Sequence, residues 1–192
     1  MLDRLLAQLA SQPPRESSEA ERAFAAVALV LADGPDRLLL IRRAERADDP
    51  WSGHLALPGG RRQESDVDLL TTAVRETREE TGIHLEADWC GAQLDDLVPL
   101  TLVLPAIIVR PFVFHVPAAL PPGVSSEVVH STWLPLAHLV ADGVRRTVPM
   151  TIRGESRMIE GYQLPEGFLW GMTERIISPV LRVWRELGGG AA

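Results

Sequence analysis

The chain has 192 residues, with 19 basic against 26 acidic side chains, a net charge of −7 and a pI near 5.2. That length suits one domain whose core needs no metal or disulfide staple, and the acidic balance excludes a general binder of nucleic acid or anionic membrane, which needs a basic field. The single Cys90 excludes an internal disulfide and reads as a small buried hydrophobe, and no apolar run is long enough to span a membrane. The start lacks a secretory pattern, so the cytoplasm is the expected location. Every basic residue is arginine, and lysine and asparagine are absent, which we read as a coding bias.

In chain order, Leu2 to Leu9 has apolar residues at helical spacing and ends before Pro13-Pro14; its apolar face suits packing on its own domain or on a second subunit. Ser11 to Glu21 reads as a polar linker, so residues 1–22 form a leading helix and linker, 23–187 the domain and 188–192 a flexible tail. Ala25 to Leu31 and Leu38 to Ile41 are short apolar runs around the turn signal Ala32-Asp33-Gly34-Pro35-Asp36, and predict two buried strands. Glu45 to Pro50 is a polar loop leading to Gly59-Gly60.

After the glycines comes the most informative stretch, Arg75-Glu76-Thr77-Arg78-Glu79-Glu80-Thr81-Gly82-Ile83. Leu70, Ala73, Val74 and Thr77 form the stripe of a helix packed on a core, opened by Asp66 or Asp68 and closed by Gly82. On that helix Glu76, Glu79 and Glu80 share one face, where each like-charge pair costs roughly 0.2–0.5 kcal/mol. A hard divalent cation relieves that repulsion, and magnesium is commonly held by carboxylates together with substrate phosphates. The alternative is a solvated charged face with Arg75 and Glu79 as an i,i+4 pair.

Farther on, Leu97 to Leu104 and Ala106 to Phe114 predict strands broken at Pro105, and Pro117 to Ser126 is a loop ending at Glu127. Leu136 to Val140 suits a short helix, Thr147 to Ile152 with Arg157 to Ile159 a hairpin around Arg153-Gly154, and Trp170 to Leu187 a last amphipathic helix. Helices against a mixed sheet give an α/β sandwich. His84, His115, His130 and His138 lack metal-ligand spacing and read as structural.

The segment from Gly60 to Ile83 resembles the Nudix box: a glycine, a spaced acid at Asp66, then R-E-x-x-E-E-x-G with an apolar end. Gly60 and Arg75 stand one residue farther apart than in the general box. That longer loop, the Gly-Gly and the Asp look like the coenzyme A pyrophosphatase branch. So do Glu127-Val128 leading to Trp133-Leu134-Pro135-Leu136, and Phe168 to Thr173 opening the last helix. The branch's upstream His-x-Gly-Gln/Glu reads here Trp51-Ser52-Gly53-His54. The resemblance covers roughly residues 25 to 185 and implies a Nudix-type α/β/α sandwich with a mixed β-sheet.

It also implies hydrolysis of a phosphoanhydride with Mg²⁺ or Mn²⁺, whose charge stabilises the phosphates and lowers the pKa of the attacking water. Glu76, Glu79 and Glu80 are the implied metal ligands. Arg75 reads as the group that orients a glutamate, and Glu127 or Glu79 as the general base. Arg42, His54, Gly59 and Gly60 are the candidate substrate contacts, and Trp51 a stacking surface. The partner is a small-molecule nucleotide: coenzyme A giving 3′,5′-ADP and phosphopantetheine, or else a nucleotide sugar, dinucleotide or nucleoside triphosphate. A non-catalytic sensor fits less well, because all three box acids remain. Homodimerisation through the first helix or an edge strand is compatible with the residues, though nothing in them demands it.

Overall fold

The computed structural model describes residues 1–17, 23–46, 52–99, 107–152 and 154–190. Its centre is β1 (Ala23–Ala32), which pairs in parallel with β6 (Ile107–Val116) along its whole length, from Ala23 opposite Ile107 to Ala32 opposite Val116. Both strands are apolar on both faces because helices cover both, the usual pattern of a buried parallel pair. Around them β2 (Arg37–Arg43), β3 (Leu55–Ala56), β4 (Gly59–Arg61), β5 (Cys90–Gln93) and β7 (Val128–Pro135) add antiparallel pairings, giving a seven-stranded mixed sheet. A second, three-stranded antiparallel sheet has the order β10 (Gly167–Trp170), β9 (Glu155–Leu164), β8 (Arg145–Ile152).

Alternation along β1 splits the core. Leu29 and Leu31 join one cluster with Leu2, Leu5 and Leu6 of α1 (Leu2–Ala10), Leu136 and Leu139 of α3 (Leu136–Val140), and Ile176, Ile177, Val180, Leu181 and Trp184 of α4 (Gly171–Glu186). Ala26, Ala28, Val30 and Ala32 join the other, with Ala73 of α2 (Leu69–Thr81), Ile83, Leu85, Phe112 and Phe114. The result is an α/β/α sandwich whose second layer, with small alanines on β1, lets α2 lie close to the sheet.

The leading helix thus packs on its own domain. His115 on β6 stands beside it, with Nδ1 3.1 Å from Asp3 of α1 and Nε2 3.0 Å from Asp33 in the β1–β2 turn. The same turn is held from the other end, where the Trp184 indole donates to Asp36 at 2.7 Å.

Several elements differ from the sequence reading. The strand expected over Leu97 to Leu104 contributes one isolated bridge, Leu97 to Val109, and residues 100–106 lie outside the described residues. So do Trp51 and most of the polar loop, residues 47–51. The short strands β3, β4, β5 and β10 and the strand β7 carry no strong pattern of their own. Of the tail, Gly188 to Gly190 folds back on Trp184, with Gly189 N–H donating to the Trp184 carbonyl at 2.9 Å; without side chains the backbone lies against the indole. Cys90 is half-buried rather than buried, and its burial pushes the thiol pKa up, away from nucleophilic use. Among the described residues no helix is long and apolar enough to cross a membrane.

Leu5 is fully buried between α1 and the sheet. Leu5→Ala is therefore expected to lower unfolding free energy by about 2–4 kcal/mol in denaturant titration; a change below about 0.5 kcal/mol would mean that α1 is not part of the cooperative core.

Candidate active site

The site begins with how α2 is fastened. Asp68 rather than Asp66 caps it, its carboxylate accepting from Thr71 N–H at 2.7 Å, and Gly82 closes it in the left-handed region at φ 72°. Asp66 is instead buried one turn away. Its oxygens accept from Gln63 N–H, from the Thr72 hydroxyl and from Nε and an Nη of Arg75, all at 2.9 Å. These donors, the Arg75 bonds foremost, hold the Asp66 pKa well below the usual carboxylate range.

Arg75 spends its whole inventory. Its other bonds run to Glu76 at 2.8 Å, to Glu79 at 3.0 Å and to the Arg61 carbonyl at 3.1 Å, so five N–H donors make five hydrogen bonds. The Asp66 bonds raise its pKa further. An arginine saturated in this way has no donor left over in this arrangement.

The glycines hold carboxylates too. Gly59 N–H donates to Glu80 at 2.8 Å, and a Cβ at Gly60 would sit 2.5 Å from the Glu76 carboxyl carbon. Gly59 has φ 152°, and a Cβ there would collide with the Ala26 carbonyl on β1. The close approach these glycines permit is therefore made by β1 and the glutamates of α2.

The glutamates divide by burial. Glu80 has a side chain only 4% exposed and Glu79 one that is 55% exposed, with Glu76 between them. Burial pushes the Glu80 pKa up to about 7 against the pull of Gly59 N–H, and Glu76 and Glu127 add like charge. Burial likewise raises Glu76, against Arg75, with Glu79 and Glu127 contributing repulsion. Glu127 thus faces the same space from another element. It stands at the entry to β7, its carbonyl accepting from Ala44 N–H at 2.7 Å and its carboxylate 3.4 Å from Arg46.

Of the remaining predicted contacts, Arg42 is exposed, and strand alternation turns Arg43 the other way, its guanidinium 3.9 Å from Glu80. Of the two arginines, Arg43 is the one beside Glu80. The sequence missed it because Leu38 to Ile41 is buried on both faces, leaving no parity to extrapolate. Arg46 was missed as well, and only pairing across residues 44–46 and 125–128 reveals it. The His54 carbonyl accepts from Arg43 N–H at 3.0 Å, and its ring meets Trp170 edge-on, centroids 5.1 Å apart.

The NUDIX domain model matches residues 22–151. The chain belongs to the Nudix family. An uncharacterised Nudix hydrolase of Photorhabdus laumondii, NudL, is 29% identical over 171 residues, covering 86% of each chain. An uncharacterised protein of Schizosaccharomyces pombe is 42% identical over 111 residues, which are 54% of this chain and 33% of that protein, so the match spans about a third of its length. A MutT/nudix family crystal structure from Enterococcus faecalis superposes with a TM-score of 0.62 at 18% identity, covering 98% of this chain and 70% of that one, which establishes the fold. The protein is a Nudix hydrolase.

Nudix hydrolases generally use divalent metals, and the donor set here fits one. Glu76, Glu80 and Glu127 raise one another's charge repulsion in a partly desolvated space, and each has more lone pairs than its bonds use. Among the described residues no three His, Cys, Asp or Glu side chains converge tightly enough to chelate an ion by themselves. Phosphate oxygens and water would complete such a sphere, as is common for magnesium.

Asp66→Asn, which leaves Arg75 half-matched, is expected to cost about 3–5 kcal/mol at neutral pH, the usual penalty for removing one partner of a buried pair. Because the folded pKa of Asp66 is depressed, its stabilisation is complete above its unfolded value near 4 and fades as pH falls below it. Denaturant titrations should therefore show wild type and variant converging as the solution is acidified below about pH 4; a constant gap would refute the assignment.

Proposed function

We propose that the protein hydrolyses, with Mg²⁺ or Mn²⁺, a nucleoside diphosphate linked to another group, coenzyme A or its thioesters foremost, giving 3′,5′-ADP and phosphopantetheine. The observation that carries the reading is the pair Glu76 and Glu80, seated on the sheet side of α2 by Gly59, Gly60 and Arg75, with Glu127 facing them from the entry to β7 and adding like charge. The bound cation would supply positive charge to the phosphates and acidify water. Glu76 and Glu80 would hold it, with Glu79 at the exposed rim completing the box acids. Glu127, whose charge is felt at both inner glutamates, would take the proton from the attacking water, with Glu79 as the competing base. Water oxygen bonds to one phosphorus, the bridging oxygen leaves with the other, and no further reactant is required.

Coenzyme A is favoured by the lengthened glycine loop, by the Glu127-Val128 segment and by Trp170-Gly171-Met172-Thr173, which opens α4 where His54 packs. The altered Trp51-Ser52-Gly53-His54 favours a second reading, the same chemistry on a nucleotide sugar, dinucleotide or nucleoside triphosphate.

Mass spectrometry of products from a panel of coenzyme A, ADP-ribose, NADH and nucleoside triphosphates should reveal 3′,5′-ADP. Cleavage of another member alone would discard coenzyme A and keep the chemistry. Glu80→Gln should lower turnover by about two to three orders of magnitude, equivalent to the several kcal/mol a bound cation contributes. Since the buried carboxyl of Glu80 titrates near 7, ionising it costs stability as pH rises through that value. The metal-free variant should therefore melt no lower than metal-free wild type at pH 8, whereas a large fall in melting temperature would mean that the lost activity was lost folding.

A further inference from the structure

Glu127 is the one member of the acidic set that neither the glycine loop nor α2 carries. Its main chain is fixed by its neighbours. The Glu127 carbonyl accepts from Ala44 N–H at 2.7 Å, its own N–H donates to the Ser125 hydroxyl at 3.2 Å, and Val128 stands opposite Arg43 in the β2–β7 ladder. None of these bonds fixes the carboxylate, which hangs at the end of a rotatable side chain that is half exposed. Like charge on Glu76 and Glu80 drives it outward.

Arg46 supplies a restraint. One Nη of its guanidinium lies 3.4 Å from Glu127 Oε1, and the other donates to the Ser126 carbonyl at 3.4 Å. The planar fork therefore spans the backbone of one residue and the side chain of the next. Arg46 is itself held from behind, its N–H donating to the Ser52 hydroxyl at 2.6 Å, and that hydroxyl donating to the Ala44 carbonyl at 3.5 Å. Since Ala44 is bonded to Glu127, the contacts close into a ring through residues 44–46, 52 and 126–127.

An isolated exposed ion pair orders little, because both side chains are free to leave it. Here the second Nη is tied to the backbone beside the acid, so the guanidinium stays where the carboxylate can find it. Arg46 meets Oε1 alone, which leaves Oε2 with no protein donor among the described residues, and a general base needs such a lone pair. In the position so defined, the carboxylate is near enough to Glu76 and Glu80 to act on both. We propose that Arg46 is a positioning residue for the hydrolysis: it holds the Glu127 carboxylate facing the inner glutamates, where Oε2 takes the proton of the attacking water as its oxygen bonds to phosphorus and the bridging oxygen leaves. The inference rests on the reading of Glu127 as the base.

A double-mutant cycle tests it, run with Mg²⁺ on coenzyme A or on the panel member cleaved in its place. Arg46→Gln should lower kcat about tenfold and change KM by less than about twofold, because a misplaced group costs the chemical step and not binding. Arg46→Lys restores the charge and should stay within about threefold of wild type. Glu127→Gln should lower kcat about a hundredfold or more, and adding Arg46→Gln to it should cost less than about twofold further. In metal-free protein carrying carbon-13 in its glutamate carboxyls, the Glu127 signal is identified by its loss in Glu127→Gln. That signal should move in Arg46→Gln and keep its wild-type position in Arg46→Lys. An unchanged kcat in Arg46→Gln, a full tenfold loss in the Glu127→Gln background, or an unmoved signal would each overturn the positioning role. So would a raised KM with kcat intact, which would make Arg46 a substrate contact. An unimpaired Glu127→Gln would remove the base assignment itself, and this inference with it.

Discussion

The site depends on one buried ion pair, Asp66 with Arg75. Asp66 sits in the loop after the glycines and Arg75 on the helix, so their bond fixes the loop to α2. A planar guanidinium has five donors in a rigid fork, and Arg75 commits them to a buried carboxylate, a backbone carbonyl and two of the three box glutamates. Lysine, a flexible point charge, could not satisfy those acceptors at once. The geometry of Glu76 and Glu79 is therefore inherited from a buried ion pair between the loop and the helix.

The inner carboxylates are held against their own electrostatics. Glu80 is buried beside Gly59, and Glu76 is pressed on Gly60, because β1 offers alanines and the loop offers glycines where side chains would keep the helix away. The consequence is raised pKa values at both positions, the mark of charge kept in place by surrounding structure. Acids that are costly when ionised and close together would be stabilised by a hard cation, which is the physical reason this packing suits one.

The opposite wall comes from elements far away in sequence. Arg43 ends β2, Arg46 and Ser52 brace each other at 2.6 Å, and Glu127 is stitched to Ala44. Those contacts let a loop carboxylate face a helix some fifty residues away. Edge-on packing of His54 against Trp170 joins this wall to the start of α4, so the second sheet and last helix border the site instead of forming a separate unit.

How much of this was legible follows from which interactions are local. Helix α2, its left-handed glycine cap and its row of glutamates were readable because capping and i,i+3/i+4 neighbours are set by a few consecutive residues. The buried strands β1, β2 and β6 were readable from apolar runs, and the family from the box itself. The parity of Arg42 and Arg43 was hidden because a strand buried on both faces has no alternation to read. The role of the glycines was hidden as well, since only the approach of β1 and Glu76 reveals what a Cβ would strike. The sequence by itself determined the α/β class, helix α2 and the chemical type of its acids. Tertiary structure alone decided which acids are buried, which arginine faces them and which loop carboxylate joins them, because desolvation and charge proximity arise only once distant segments pack together.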